Sequence, residues 1–454
     1  MSGALGGSVQ DTTPPPRHAE EEQGAVLARM LGGEQALPVV GRYALLSKER
    51  LCRHVLVCGA TGSGKTETVL RLAWAVAKGT RAPVFYLDGK GDRATAERFV
   101  GLMADAGRQA RVFPNEPLDG WRGEPHELKG RLMEIVDYAR EGPAAWYRDL
   151  ARVVVGLACE HPKGPPRCSR ELLARMDLQA LRNAHGETAA VRALSEQQVN
   201  QVRLRFGAFF EQTRGALDGA EGGNGDGGGY GAADRAGGWA WEETSAAYLL
   251  LESLRLREET ACLARFLLED FSHYFTSRKP AGEWVLLVVD EFSALAGAAG
   301  MARCVEQARS FQTALVLVPQ VVAGMGREAE AERILGSVET VVCHRVNTPE
   351  EIAALAGTRQ VTRYSTRYTR EGSTGEGSMQ RREEGKVDPN RVRSLPAGEA
   401  FVISHGQAMH ALILRAPQLR GALPEPGGVP ARPGGPEQKT ASERPANASE
   451  ELPF

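Results

Sequence analysis

The octapeptide GATGSGKT at residues 59–66 is the densest concentration of chemistry in this chain. Gly59, Ala60, Thr61, Gly62, Ser63, Gly64, Lys65 and Thr66 satisfy the spacing G-x4-GK-[ST] of a phosphate-binding loop. Given this chain's glycine, lysine and hydroxyl content, about 0.01 chance matches are expected. The glycines let backbone amides turn inward around phosphate oxygens, and the following helix adds its positive dipole end. Lys65 is placed to neutralise the β- and γ-phosphates of a nucleotide, and Thr66 to offer a hydroxyl to Mg²⁺. Residues 59–66 are therefore read as a nucleotide site.

A phosphate loop needs a carboxylate on a neighbouring buried strand to complete the metal site. The string VLLVVDE supplies one: five apolar residues run into Asp290 and Glu291. Asp290 is expected to hold Mg²⁺ through water, and Glu291 to orient and deprotonate the attacking water. The alternative is a solvated acid pair at a strand end. A built-in base implies hydrolysis rather than a binding switch. Gln320 ends the next apolar strip, where an amide can sense the γ-phosphate or bond to a loop. Arg309 lies eleven residues before it, and Arg345 ends a further strip. Either arginine can serve as a finger into a neighbouring subunit's nucleotide, which would require an oligomer, or can make a surface ion pair.

These residues need a frame of buried strands. HVLVC precedes the phosphate loop and a helix with Val69, Leu72, Ala73 and Val76 on one face follows it. VFYLD, WVLLVVD, TALVLVPQ, ETVVCHRV, AFVIS and ALILR read as further strands, the alternation of a mostly parallel α/β sheet. Between them the sequence turns almost wholly helical. The expected organisation is a loose head over 1–24, the first part of a phosphate-loop domain over 25–114 and an all-α insertion over 115–220. A Gly-rich linker over 221–238, the second part of the domain over 239–416 and a Pro- and Gly-rich tail over 417–454 complete it.

Composition bounds the class. With 454 residues, 42% apolar and 25% charged, the chain has ample material for a large core. Seven cysteines without a CxxC pair argue against a disulfide scaffold or a zinc module and fit a reducing compartment. Neither an apolar run of about 18 residues nor a signal-like head is present, so no membrane span and no secretion are expected. The net charge of −2 leaves a nucleic-acid partner open, since that depends on local patches.

Together these strings resemble the HerA/FtsK group of ring ATPases and, within it, conjugative coupling proteins of the TraD/TraG type. HVLVCGATGSGKTET is similar to the group's phosphate loop, and YLDGKGD, with Asp88, Lys90 and Asp92, to its second-strand element. LLVVDEFSAL resembles its acidic motif, the Arg309–Gln320 spacing its finger and sensor, and VDPNRVRSLPAGEAFVISHG its closing strands. The likeness covers about residues 35–415. It implies a RecA-like phosphate-loop core interrupted by an all-α insertion domain, with ATP and Mg²⁺ as cofactors and a hexameric ring as assembly. Coupling proteins of this type usually begin with transmembrane helices, which this sequence does not show. The expected location is cytoplasmic, with any inner-membrane attachment supplied by an anchor subunit or by secretion and conjugation machinery.

A ring motor grips DNA mostly through phosphates. The stretch 359–393 carries nine basic residues against five acidic, with Arg363, Arg367 and Arg370 interleaved with Tyr364 and Tyr368. It is read as a DNA-contacting loop, with a solvated mixed-charge loop as the alternative. The leading expectation is an ATPase that translocates DNA. A nucleotide-gated recruitment ATPase for a protein substrate, and a HerA-like helicase with a nuclease partner, are the alternatives.

Overall fold

In the computed structural model, residues 25–33, 39–40, 43–136, 142, 145–219, 238–251, 257–291, 298–319, 328–369 and 372–425 are described. Gln320, the loose head, most of the Gly-rich linker and the tail beyond 425 lie outside them. The apolar strips form strands as their composition requires. Val55–Cys58 (β4), Val84–Asp88 (β5), Arg111–Phe113 (β6), Ala246–Leu250 (β7), Val285–Asp290 (β8), Thr313–Val318 (β9) and Thr340–Cys343 (β10) pair in parallel in the order β10-β4-β9-β8-β5-β7-β6. Such strands are covered on both faces, which explains their near-continuous apolar runs. On the β10 side the sheet continues antiparallel through Glu399–Ser404 (β13), Gln407–Ile413 (β14), Ala25–Gly33 (β1), Tyr43–Leu46 (β3) and Val39–Val40 (β2).

Strand alternation sorts the core into two layers. Val57, Val84, Tyr86, Tyr248 and Val288 face the helices Lys65–Gly79 and Arg93–Asp105. Leu56, Phe85, Leu87, Leu249 and Leu287 face the other way, onto the helices that follow β6 and β7. Among the parallel strands, β6 and β7 are not marked in the sequence, and neither are β1 to β3 in the antiparallel part. β6 is only three residues long, and β7, AAYLL, stands beside the glycine-rich stretch.

Six helices, Pro125–Ile135, Ala145–Cys159, Ser169–Arg175, Leu178–His185, Ala189–Arg192 and Glu196–Thr213, are inserted between β6 and β7. Their starts are written in the sequence: Asp177 and Thr188 each accept from the amide three residues on, and Ser195 with Gln198 closes a capping box. The insertion returns where it left, Leu118 N donating to Ala216 O at 2.8 Å. The Gly-rich segment does the same. A Cβ on Gly219 would stand 3.2 Å from Gly238 N, and Trp239 N donates to Pro117 O. Gly219 and Gly238, on either side of the segment, therefore meet at one seam. The chain beyond β14 also stays on the core as far as 425: Gly421 N donates to Glu97 O, and Asn115 Nδ2 to Pro424 O.

The charged stretch expected as a loop is instead a ribbon. Thr358–Thr369 (β11) pairs antiparallel with Gly372–Gly385 (β12), outside the main sheet, with an irregularity between Thr366 and Tyr368. Its base is held by Lys386, whose Nζ donates to Gly406 O in the β13–β14 turn at 2.7 Å. That turn lies beside Thr340, at the starting end of the parallel strands. Among the described residues no helix is long and apolar enough to cross a membrane.

One buried ionic cluster ties the insertion to the body. Asp270, on helix Arg257–His273, accepts from Arg131, from Arg278 Nη2 at 2.6 Å and from Trp241 Nε1 at 2.7 Å. The Arg131 and Asp270 side chains are fully buried. Removing one partner leaves an uncompensated interior charge, whereas replacing the pair by apolar groups of similar size does not. Asp270→Ala is expected to lower unfolding free energy by roughly 3–5 kcal/mol in urea titrations. Arg131→Met combined with Asp270→Leu should lose less; equal losses would contradict the argument.

Candidate nucleotide and metal site

The phosphate loop leaves the end of β4 in the middle of the sheet, flanked by β10 and β9. Its conformation explains its glycines. Gly62 and Gly64 have φ of 75° and 116°, the left-handed region that L side chains avoid. A Cβ on Gly59 would meet Ser63 Oγ at 2.4 Å and His344 Cβ at 2.7 Å. Two backbone contacts brace the loop from outside, Ala60 N donating to Arg345 O at 2.7 Å and Gly398 N to Ser63 O at 3.0 Å, and one closes it within, Ser63 N donating to Ala60 O at 3.2 Å. Lys65 opens the helix Lys65–Gly79, and its Nζ donates to Gly59 O at 2.5 Å. Burial lowers the Lys65 pKa while Glu291 and Asp290 pull it up. Thr66 is half-buried in the first turn of the helix. Ser63 Oγ is buried with no hydrogen-bond partner, a polar orphan inside the cradle.

His344, at the end of β10, props the loop from beneath. Its Nδ1–H donates to Glu399 O at 2.9 Å, which leaves Nε2 to accept from the Thr68 hydroxyl at 2.8 Å. Burial pushes its pKa down to about 4, so the ring stays neutral at physiological pH. The strip ETVVCHRV announces the strand, but the sequence alone does not mark His344, Thr68 or Gly398 as part of the site. The available signal was a polar residue closing an apolar central strand.

The acidic half stands two strands away. β9 separates β4 from β8, and Asp290 closes β8 in register with Asp88 on β5. Each carboxylate accepts from a tyrosine of an adjacent strand: Tyr86 Oη donates to Asp290 Oδ2 at 2.8 Å, and Tyr248 Oη to Asp88 Oδ2 at 2.8 Å. Asp88 also accepts from the amides of Lys90 and Asp92 at 2.8 and 2.7 Å, which folds the YLDGKGD turn around it. Burial raises the pKa of Asp88. Burial, aided by Asp88 and Glu291, pushes Asp290 up to about 6. Glu291 carries φ of 56°, an unusual conformation for a non-glycine residue, and its amide donates to Val318 O at 3.0 Å.

The two arginines part company. Arg345 is exposed beside the phosphate loop, to which its own carbonyl is bonded. Arg309 begins the short turn Arg309–Phe311, four residues before β9, at the opposite edge of the sheet. The six residues of β9 span about 20 Å, beyond the reach of an arginine side chain. Arg309 therefore cannot serve the phosphate loop of its own chain. Gln320 falls just outside the described residues.

The donor set fits a hard divalent cation: the Thr66 hydroxyl and carboxylates at Asp290 and Glu291, facing a loop with an orphaned hydroxyl and an ammonium. An anion at Asp290 is costly while no cation offsets it. Its folded pKa lies above the unfolded value, so the penalty is absent near pH 4 and full above about pH 6. Asp290→Asn should therefore melt higher than the natural protein in metal-free buffer at pH 7.5, with the gain fading as pH falls through 6 toward 4. A lower melting temperature at pH 7.5 would contradict the burial argument.

Two family models match the chain. One, described as the central domain of helicase HerA, spans residues 41–212; the other, described as the TraM recognition site of TraD and TraG, spans residues 284–397. The type 4 coupling protein DotL of Legionella pneumophila is 25% identical over 125 residues, which make up 27% of this chain and only 16% of DotL. Among solved structures, the bacterial conjugative coupling protein TrwBdeltaN70 superposes with a TM-score of 0.60 at 16% identity, covering 90% of this chain and 97% of that one. TrwB in complex with the ATP analogue ADPNP gives 0.58 at 16% identity, covering 91% and 98%. VirB4 of Thermoanaerobacter pseudethanolicus gives 0.55 at 14% identity, covering 87% and 97%. At these identities the structural likeness is one of fold, a RecA-like core with a mostly parallel sheet. In sequence models and fold together, the chain resembles the HerA-type phosphate-loop ATPases and, among them, the conjugative coupling proteins.

Proposed function

We propose that this chain is an ATP-hydrolysing motor that moves DNA as a homo-oligomeric ring, in the manner of a conjugative coupling protein. The observation that carries the reading is the placement of a braced phosphate loop and a buried acidic strand end on one edge of the sheet, separated by a single strand. TrwB has been solved with ADPNP and with ADP and Mg²⁺, which supports ATP and Mg²⁺ as the ligands here. Lys65 and the loop amides other than those of Ala60 and Ser63 bind the phosphates. Thr66 and Asp290 would hold Mg²⁺, which when bound supplies charge compensation for the phosphates. Glu291, held at the turn after β8, accepts the proton of the attacking water. Arg345 sits near enough to the loop to act on its own chain's nucleotide, whereas Arg309 can act only across a subunit boundary. Gln320 remains the proposed sensor of the γ-phosphate.

DNA contact is assigned to the β11–β12 ribbon. Arg359, Arg381 and Arg382 are exposed, and Tyr364 is 77% exposed, a mixture suited to phosphate contact and base stacking. The conjugation machinery is the proposed setting, with membrane attachment through a partner.

Lys65→Ala is expected to cut ATP turnover at least 100-fold by removing the phosphate-compensating charge. Glu291→Gln should retain nucleotide binding and lose about 100-fold or more in turnover. DNA should stimulate hydrolysis by the natural protein. Arg381→Glu with Arg382→Glu should weaken DNA binding and flatten its salt dependence, with basal hydrolysis unchanged. A ring-forming protein whose turnover ignores both single- and double-stranded DNA would refute translocation.

A further inference from the structure

The mechanism above uses Asp290 and leaves the two buried tyrosines beside it without a role. Tyr86 and Tyr248 are both fully buried, and their rings stack with centroids 4.8 Å apart and planes 19° from parallel. Phe99 packs edge-on against Tyr86 at 5.9 Å and tilted against Tyr248 at 5.4 Å. Neither phenol can swing away from its carboxylate without opening this stack. The arrangement is a staircase across three parallel strands. Tyr248 on β7 reaches Asp88 on β5, and Tyr86 on β5 reaches Asp290 on β8, each two positions further along the neighbouring strand.

The two steps differ in what else holds the acid. Asp88 is also gripped by the amides of Lys90 and Asp92, so the Tyr248 hydroxyl is one donor among several. For Asp290 the Tyr86 hydroxyl is the one side-chain donor among the described residues, and the backbone amide near its carboxylate, that of Glu291, is shared with Val318 O at 3.0 Å. A stacked aromatic ring carrying a single donor fixes a carboxylate's rotamer as the outer partner of a metal ligand does.

We propose that Tyr86 is the positioning residue of the metal site: its O–H commits Asp290 Oδ2 and so sets how the carboxylate meets Mg²⁺. The inference rests on the assignment of Asp290 to the metal and is independent of DNA. Tyr86 touches neither nucleotide nor metal; it acts through Asp290.

Tyr86→Phe and Tyr248→Phe make a matched pair, each deleting one buried phenol oxygen from the same stack. The full chain is titrated calorimetrically with a non-hydrolysable ATP analogue, without metal and over a series of Mg²⁺ concentrations. Tyr86→Phe should raise the half-saturating Mg²⁺ concentration about 10-fold and leave metal-free affinity unchanged. Tyr248→Phe should stay within about twofold of the natural protein, because the Lys90 and Asp92 amides still hold Asp88. Thermal melting in metal-free buffer should fall in both variants, and unchanged metal-free affinity separates that loss of packing from a loss of positioning. Wild-type Mg²⁺ dependence in Tyr86→Phe would overturn the proposal, as would an equal shift in Tyr248→Phe. A natural protein whose nucleotide affinity ignores Mg²⁺ would overturn it together with the assignment of Asp290. Failure of DNA to stimulate hydrolysis would leave the Tyr86 comparison standing.

Discussion

Burying carboxylate charge at the end of a parallel sheet is the constraint on which the rest of this structure depends. A carboxylate in a low-dielectric setting is costly unless it is paired or hydrogen-bonded. Here two of them, Asp88 and Asp290, stand in register on neighbouring strands. The protein offsets that cost with two tyrosine hydroxyls, two backbone amides and the ammonium of Lys65 across the gap. Under the proposed function, a divalent cation at Asp290 would offset the cost that remains. Everything that fixes β4, β8 and β5 relative to one another serves this edge, including the apolar runs of those strands and the helices on either face.

The opposite edge of the sheet has a different character. Arg309 lies there, and there the β11–β12 ribbon is rooted through Lys386 and Gly406. A two-stranded ribbon on its own is marginally stable in water, and this one is exposed on Tyr364 and Met379 alike. Nucleotide chemistry and the basic surface thus lie at opposite ends of the parallel strands. A ring brings such ends together between neighbours, which is why oligomerisation is part of the proposed function and not an addition to it.

Much of this was legible in the sequence because it is local. Residues 59–66 specify a phosphate loop by glycine spacing alone, and VLLVVDE announces a buried strand ending in acid. The capping boxes and N-caps of the insertion are likewise local. What escaped is what depends on contacts far apart in the chain. His344 braces the loop from 276 residues beyond Thr68, and Tyr86 reaches Asp290 across 204 residues. No periodicity encodes either. The three-residue β6 carries too few residues to show a pattern, and β7 shows its strand character through pairing with β5 and β6. Charged and hydroxyl side chains dominate the ribbon and read as a loop, although Val361, Tyr364 and Thr362 are good strand formers. The Gly-rich segment reads as a linker from its composition, which does not encode that Gly219 and Gly238 at its ends lie together.

The central claim is that hydrolysis at the 59–66 loop drives movement along DNA. It is tested most directly by ATP-dependent displacement of a triplex-forming strand from duplex DNA, or of streptavidin from biotinylated single-stranded DNA, using the full chain. The account predicts displacement that requires ATP and Mg²⁺ and disappears in Lys65→Ala. Steady hydrolysis with no displacement on either substrate would contradict it.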